Sequence, residues 1–378
     1  MAPLTPTDFI SDTSQLRALL RRLRGLSAIA IDTESNSLHA YREQVCLVQI
    51  SIPGADYLVD PLAPAIDMSV LHPLFADSTV QKVMHACEYD VISLRRDFGY
   101  SFANLFDTMW SARILGWPRV GLADILKERF GATLDKHWQR FNWRKRPLPP
   151  EAMAYARLDT HYLLRLRDLQ KAALSQTGRW EEAREVFDEL AQATAATRED
   201  SGQGHGFWRI KGAHDLDSTG RAVLRELYRY RDEEASRMDR PPFKVIGDQT
   251  LAAIARLRPT QMAHLRRVSG MTERQVAQHG RGLLLAVVRG KSTEPPRLPA
   301  RRSIDPDVAE RYERLREWRK TAAAERGVDP DVIVSNAALM ALAHRRVRKS
   351  LDLEGIEGLG PWRRKTYGPA LLRVLESS

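Results

Sequence analysis

The second half of the chain carries one pattern twice. A shift of 88 positions, with no gap, sets Leu227 on Leu315, Tyr230 on Trp318, Arg231 on Arg319, Ala235 on Ala323, Val245 on Ile333, Leu251 on Leu339, Ala255 on Ala343, Leu265 on Leu353 and Gly270 on Gly358. Two unrelated amphipathic stretches would not keep aromatic, arginine and glycine positions in one frame, so this half reads as a small helical domain present twice. Two segments without periodicity, 198–206 and 291–303, read as linkers. The glycines at 202, 204 and 206 are not a phosphate loop, because no strand precedes them and no helix start follows closely. The expected domains are 1–200, 207–291 and 304–378, a division that a 378-residue chain accommodates because single cores stop growing near about 250 residues.

The first half is different in kind. Short apolar runs at 28–33, 45–50 and 80–86 read as strands, and helical patterns occupy 89–98, 107–115, 122–130 closed by Gly131, 150 to about 174, and 181–194. Alternation of the two gives an α/β domain. Charge divides the same way: residues 207–378 carry 34 Lys and Arg against 22 Asp and Glu, whereas residues 1–206 carry 24 against 26. A basic half beside a slightly acidic one fits a polyanion-holding module joined to a domain that uses carboxylates for something else, although solvated arginine-rich helices would look the same. The start has no basic stretch followed by an apolar core, and the late apolar run 283–288 is too short to span a bilayer, so a cytoplasmic, membrane-free protein is expected. Cys46 and Cys87, the only cysteines, read as two buried thiols.

Three places in the α/β half hold acids in positions that matter. Asp32 and Glu34 lie two apart at the end of a strand and so leave the same face of the sheet. Asp90 stands in the first turn of the helix after the third strand, where an acid would also suit the helix dipole. Asp159 occupies the apolar seam of Ala152, Ala156, Leu163 and Leu166, with Tyr155 one turn earlier on nearly the same face. Each is explicable alone as structure. Together, four converging carboxylates would repel one another unless cations sat among them, and all-oxygen donor sets select hard ions such as Mg²⁺ or Mn²⁺. The chemistry that follows is phosphodiester hydrolysis.

The segments Ile29 to Glu34 (IAIDTE), Val83 to Leu94 (VMHACEYDVISL) and Tyr155 to Leu164 (YARLDTHYLL) resemble the three exonuclease motifs of the DEDD superfamily, most closely those of the ribonuclease D family. The helical repeats resemble HRDC domains. The resemblance implies a ribonuclease H-like mixed sheet flanked by helices, followed by two all-α HRDC-like domains. It implies a 3′–5′ exoribonuclease of the Tyr subtype, since Tyr155 precedes Asp159 by four and position 154 is Ala. In that pattern Asp32 bridges two divalent ions, Glu34 and Asp159 hold the nucleophile-side ion, Asp90 supports the other, and Tyr155 orients the water. Its partner would be RNA with a free 3′ end, such as transfer RNA precursors, and a monomer is expected. A DNA exonuclease of the same superfamily and a non-catalytic nucleic-acid scaffold are the alternatives; loss of any one acid would have favoured the scaffold, and all four are present. Ser35 and Asn36 stand where many relatives carry a bulky residue after the first-motif Glu. His85 precedes the helix of Asp90 and reads as structural or substrate-proximal.

Two segments suggest nucleic-acid contacts. Residues 136–146 interleave Trp138, Phe141 and Trp143 with Arg144, Lys145, Arg146 and other cations, a pattern that suits phosphates and stacked bases or, equally, core rings beneath solvated charges. In the second repeat, Gly358 and Gly360 before Arg363, Arg364 and Lys365 resemble a helix-hairpin-helix turn whose amides meet phosphate, so that repeat is expected to bind more strongly.

Overall fold

The computed structural model describes residues 7–194, 206–299, 305–345 and 347–376. The first expected linker lies outside these except for Gly206, as do residues 300–303 of the second. Six strands form one mixed sheet in the order β1-β4-β3-β2-β5-β6. They are β1 (Thr7–Ile10), β2 (Ala28–Ser35), β3 (Val45–Ile52), β4 (Ala55–Val59), β5 (Gln81–Met84) and β6 (Leu105–Asp107). β3 and β4 form the antiparallel hairpin, whereas β1 with β4, β2 with β5, and β5 with β6 run parallel. β1, β4 and β6 are additions to the three strands expected; β6 is only three residues, all buried, and offers no period to read.

The helices around this sheet are α1 (Thr13–Leu23), α2 (His72–Ala76), α3 (Glu88–Phe98), α4 (Thr108–Ile114), α5 (Leu122–Phe130), α6 (Pro150–His161), α7 (Leu163–Gln176) and α8 (Trp180–Ala191). Gly131, left-handed at φ 66°, ends α5 as its sequence position suggests. The single long helix expected from residue 150 onward is instead two, broken at Tyr162. Its apolar seam continues in phase across the break, so periodicity does not reveal it. The break follows Thr160 and His161, whose side chains turn onto Ser51 and Asp56 of the β3–β4 hairpin.

The helical half comprises α9 (Ser218–Arg237), α10 (Pro242–Val245), α11 (Asp248–Leu257), α12 (Met262–Leu265) and α13 (Glu273–Ser292), then α14 (Pro306–Arg326), α15 (Pro330–Ile333), α16 (Asn336–His344) and α17 (Pro361–Glu376). The 88-residue frame extends to single hydrogen bonds. Buried Arg231 donates to the Ile246 carbonyl at 3.1 Å and to Asp248 at 2.6 Å. Buried Arg319 donates to the Val334 carbonyl and to Asn336, both at 2.8 Å. Two compact units result: Met1–Glu34, Val45–Thr194 and Arg302–Ser378 make one, and Ser35–Gln44 with Ala195–Arg301 make the other. The first unit thus joins the α/β domain to the second helical repeat. The second joins the first repeat to the loop after β2, which Tyr41 ties to Asp232 at 2.8 Å and to Asp239 at 3.2 Å.

Candidate active site

The four acids come together around one open cavity of about 300 Å³, lined by Asp32, Thr33, Glu34, Tyr155 and Asp159 with His85, Asp124, Lys136 and Gln139 among the other walls. Asp90 stands directly behind it, accepting a hydrogen bond from the Thr33 hydroxyl. β2 delivers Asp32 and Glu34 from its end, where four fully buried residues, Ala28 to Ile31, give way to partly open ones. α3 delivers Asp90 from its first turn. The turn into that helix is set by Ala86, left-handed at φ 56°, and by Asp107, whose carboxylate accepts the Cys87 amide at 2.7 Å and the Trp110 amide at 2.8 Å. A left-handed Ala is strained, and such strain concentrates at functional sites. α6 delivers Tyr155 and Asp159 on one face, four residues apart, and the phenol donates to the carboxylate.

The electrostatics are those of uncompensated acids. Burial, reinforced by Asp90, Asp159 and Glu34, holds the Asp32 carboxyl well above the usual carboxylate range. Burial and the charges of Asp159 and Asp90 do the same to Glu34. Burial raises Asp90 to about 7 against the hydrogen bond from Thr33, and raises Asp159 to about 8 against that from Tyr155. Burial and the neighbouring acids also push the Tyr155 phenol upward, so it remains a hydrogen-bond donor at any physiological pH. Among the described residues no Lys, Arg or His side chain forms an ion pair with any of the four acids. Among the described residues no three His, Cys, Asp or Glu side chains stand grouped closely enough to hold a metal ion, so the fit to a cation is argued from the chemistry of the carboxylates. An open carboxylate set suits Mg²⁺, which keeps several waters and shares its coordination with substrate phosphate. The donor set therefore fits hard divalent ions.

Thr33, Asp124 and Gln139 do not stand out in the sequence as site residues, whereas Lys136 does so only as one of the cations of residues 136–146. Thr33 could have been found, because a residue between two same-face acids points to the opposite face, where the next helix arrives. His85 lines the cavity while its Nδ1 lies 2.8 Å from the Thr108 hydroxyl, consistent with a structural or substrate-proximal place. Cys46 and Cys87 are both buried free thiols.

The expected nucleic-acid residues separate. Arg144 and Lys145 are on the surface. Arg146 is exposed too, but its guanidinium is engaged within the chain, by Asp60 at 2.5 Å and the Cys46 carbonyl at 2.8 Å, which ties the segment to the sheet. Trp143 is core, in edge-on contact with Phe141 and close to Tyr155. At the turn of Gly358 and Gly360, the anion that meets the first amides of α17 is a carboxylate of this chain. Glu185 of α8 accepts the Trp362 amide at 2.5 Å and the Arg363 guanidinium at 3.2 Å, and Arg363 reaches Glu189 at 3.2 Å as well. A Cβ on Gly360 would stand 2.2 Å from the Glu185 carboxyl carbon, so any side chain there would push the carboxylate out of its present place. Arg364 lies 3.6 Å from Glu354, and Lys365 is exposed. At the matching place in the first repeat, α13 caps itself through a box of Thr272 and Gln275; 88 positions later stand Gly360 and Arg363, which cannot make one.

A mixed sheet with acids at a strand end, a helix start and a helix face defines the 3′-5′ exonuclease domain class, and the family model of that description matches residues 7–172 while the HRDC domain model matches 220–287 and 308–375. Ribonuclease D of Pseudomonas paraeruginosa is 30% identical over 376 residues, covering 98% of each chain. The chain belongs to the ribonuclease D family, whose members are divalent-metal-dependent exonucleases. Protein RRP6-like 2 of Arabidopsis thaliana is 32% identical over 279 residues, 70% of this chain and 31% of that one, so the chain spans about a third of that relative's length. The crystal structure of Escherichia coli RNase D, an exoribonuclease involved in structured RNA processing, aligns over 99% of both chains with a TM-score of 0.70 at 24% identity, a likeness of fold. No helix among the described residues is long and apolar enough to cross a membrane.

Proposed function

We propose that this chain is a 3′–5′ exoribonuclease using two divalent ions, Mg²⁺ or Mn²⁺, to trim the free 3′ ends of structured RNAs such as transfer RNA precursors in the cytoplasm. The observation that carries the reading is the gathering of Asp32, Glu34 and Asp159 at one open cavity with Asp90 behind it, and with no cation of the described residues paired to any of them. Asp32, Glu34, Asp90 and Asp159 would hold the ions, which supply charge neutralisation at the phosphodiester and activation of water. Tyr155, kept protonated with its one proton given to Asp159, orients the attacking water by accepting from it through the phenol oxygen and does not serve as a base. Thr33 holds Asp90 in place from the strand side. Lys136 on the cavity wall, with the exposed Lys145 of the same segment, supplies positive charge for the incoming backbone. The test is stepwise shortening of 3′-ended single-stranded RNA and DNA of equal sequence. RNA should be degraded from its 3′ end with Mg²⁺, and not with a chelator or with Asp32→Asn. Turnover of Asp32→Asn within a few-fold of wild type would reject the site, and faster loss of DNA would reassign the substrate.

A further inference from the structure

α6 carries two of the five proposed site residues, yet its apolar footing is thin. The buried residues of α6 are Ala152, Tyr155, Ala156, Arg157, Asp159 and Thr160, and only the two alanines and the tyrosine ring are apolar. Apart from the Tyr155 ring and the partly buried Met153, the face is two methyl groups, which interlock little with their neighbours. A slip of one residue along a helix is about 1.5 Å of translation with about 100° of rotation, whereas reacting constellations tolerate about 0.5 Å. Apolar packing alone does not hold Tyr155 and Asp159 to that tolerance.

Directional bonds are present at the right place. Asp56, buried at the start of β4, accepts the Arg157 Nε at 2.6 Å and meets the His161 Nδ1 at 2.9 Å through one oxygen; the other accepts the Ser51 hydroxyl at 2.7 Å. Ser51 and Asp56 are cross-strand partners in the β3–β4 hairpin. Ser51 has one proton and gives it to Asp56, so the Thr160 hydroxyl, 2.6 Å away, donates to Ser51. Arg157, Thr160 and His161 thus tie both sides of Asp159 to one rigid hairpin. Replacing such a buried ionic cluster with well-packed apolar groups is often neutral or stabilising, so stability alone gives it little purpose.

We propose that Asp56 and Ser51 are positioning residues that fix the rotation and axial register of α6, and through it the placement of Tyr155 and Asp159 for divalent-ion binding and hydrolysis. The inference rests on the reading of the cavity given above. The network touches neither ion nor RNA; it acts through the helix.

The full chain carrying Asp56→Asn or Ser51→Ala tests it, with Mn²⁺ as probe. Four quantities are read: Mn²⁺ affinity from the electron paramagnetic resonance of the free ion, kcat and KM on a short oligoribonucleotide, and the thermal midpoint. Loss of a group that orients metal ligands typically costs 10- to 100-fold, so Asp56→Asn should weaken Mn²⁺ binding and lower kcat by about that much while KM moves less than about twofold. Ser51→Ala, a one-atom deletion, should move both in the same direction by about threefold to tenfold. The proposal is overturned if both variants keep Mn²⁺ affinity and kcat within about twofold of wild type while only the thermal midpoint falls. Should Asp56→Asn not fold, Ser51→Ala decides. Asp159→Asn is measured alongside: if it retains turnover, the reading of the cavity fails and takes this proposal with it. If it is dead while the Asp56 and Ser51 variants are normal, the positioning role alone falls.

Discussion

Asp32, Glu34, Asp90 and Asp159 on one side, and Glu182 with Glu185 on the other, are acids withdrawn from bulk water within the same compact unit. Their surroundings are opposite. Glu182 receives a two-pronged Arg326 at 2.8 Å on each oxygen, and Glu185 receives Arg363 together with the first amides of α17. The cavity acids receive only the hydroxyls of Thr33 and Tyr155 and otherwise face one another's charge. Burying charge is costly unless it is paired, and the chain pairs one group internally while leaving the other to raise its own proton affinities. The difference teaches where to look for function: an acid whose neutralising partner is in the chain is explained by the fold, and an acid whose partner is missing from the chain points outward to a cation.

The widest separation between the two groups is expected in catalysis. Tyr155→Phe removes only the hydroxyl bonded to Asp159, so it should slow turnover by about 10²-fold or more with little change in RNA affinity. Single-turnover kinetics and a binding isotherm check this. Normal turnover with a lowered thermal midpoint would make Tyr155 a core residue, as its contact with Trp143 would then suggest.

The cavity was legible because its spacings are local. Two residues along a strand and four along a helix place Asp32 with Glu34 and Tyr155 with Asp159 without any tertiary knowledge. The duplicated domain was legible for a similar reason, since a constant frame needs no structure to detect. What stayed hidden is what depends on distant partners. Nothing in the neighbourhood of Gly360 announces that Glu185, 177 positions before Trp362, fills the turn that otherwise resembles a phosphate seat. Nor does the mixture of rings and cations at 136–146 say that Trp143 goes inward and Arg146 engages Asp60. The split at Tyr162 was missed because the apolar seam runs in phase across it, and β1, β4 and β6 because such short runs offer little period to read.

A smaller effect separates the groups by pH. In the metal-free protein, burial raises the folded-state values of Asp90 to about 7 and Asp159 to about 8, above the ordinary aspartate value. A raised folded value means that the contribution to stability is fully present below the unfolded value, near pH 4, and is lost as pH rises through 7 to 8. Cation binding requires the ionised forms and therefore displaces protons. Mn²⁺ affinity should accordingly rise by up to about tenfold per pH unit for each proton displaced, levelling off above about pH 8. Added Mn²⁺ should return to the alkaline protein the stability it loses without metal. Calorimetric titrations at several pH values and in buffers of different ionisation heat test both statements, and an affinity flat from pH 6 to 9 would contradict the uncompensated character assigned to the cavity.

The smallest effect on chemistry is expected from the paired group, and it bears most directly on the second helical repeat. Glu185→Ala leaves the α17 amides and much of the Arg363 charge without their partner, although Glu189 remains within reach of the guanidinium. Breaking a buried pair of this kind should cost about 3 kcal/mol, or about 5–10 °C in the midpoint of a unit this size. Turnover of a short oligonucleotide should not change, because no cavity residue contacts Glu185. Long-RNA binding offers the sharper outcome. If the Gly358–Gly360 turn is a domain-docking element, the salt dependence of long-RNA affinity should match wild type in Glu185→Ala. If instead the turn is a phosphate seat held shut by Glu185, removing that carboxylate opens it, and affinity rises with a slope steeper by about 0.7 for each phosphate gained by a single strand. A steeper slope would break the comparison, since it would place Glu185 among the groups that compete with nucleic acid and not among those explained by the fold.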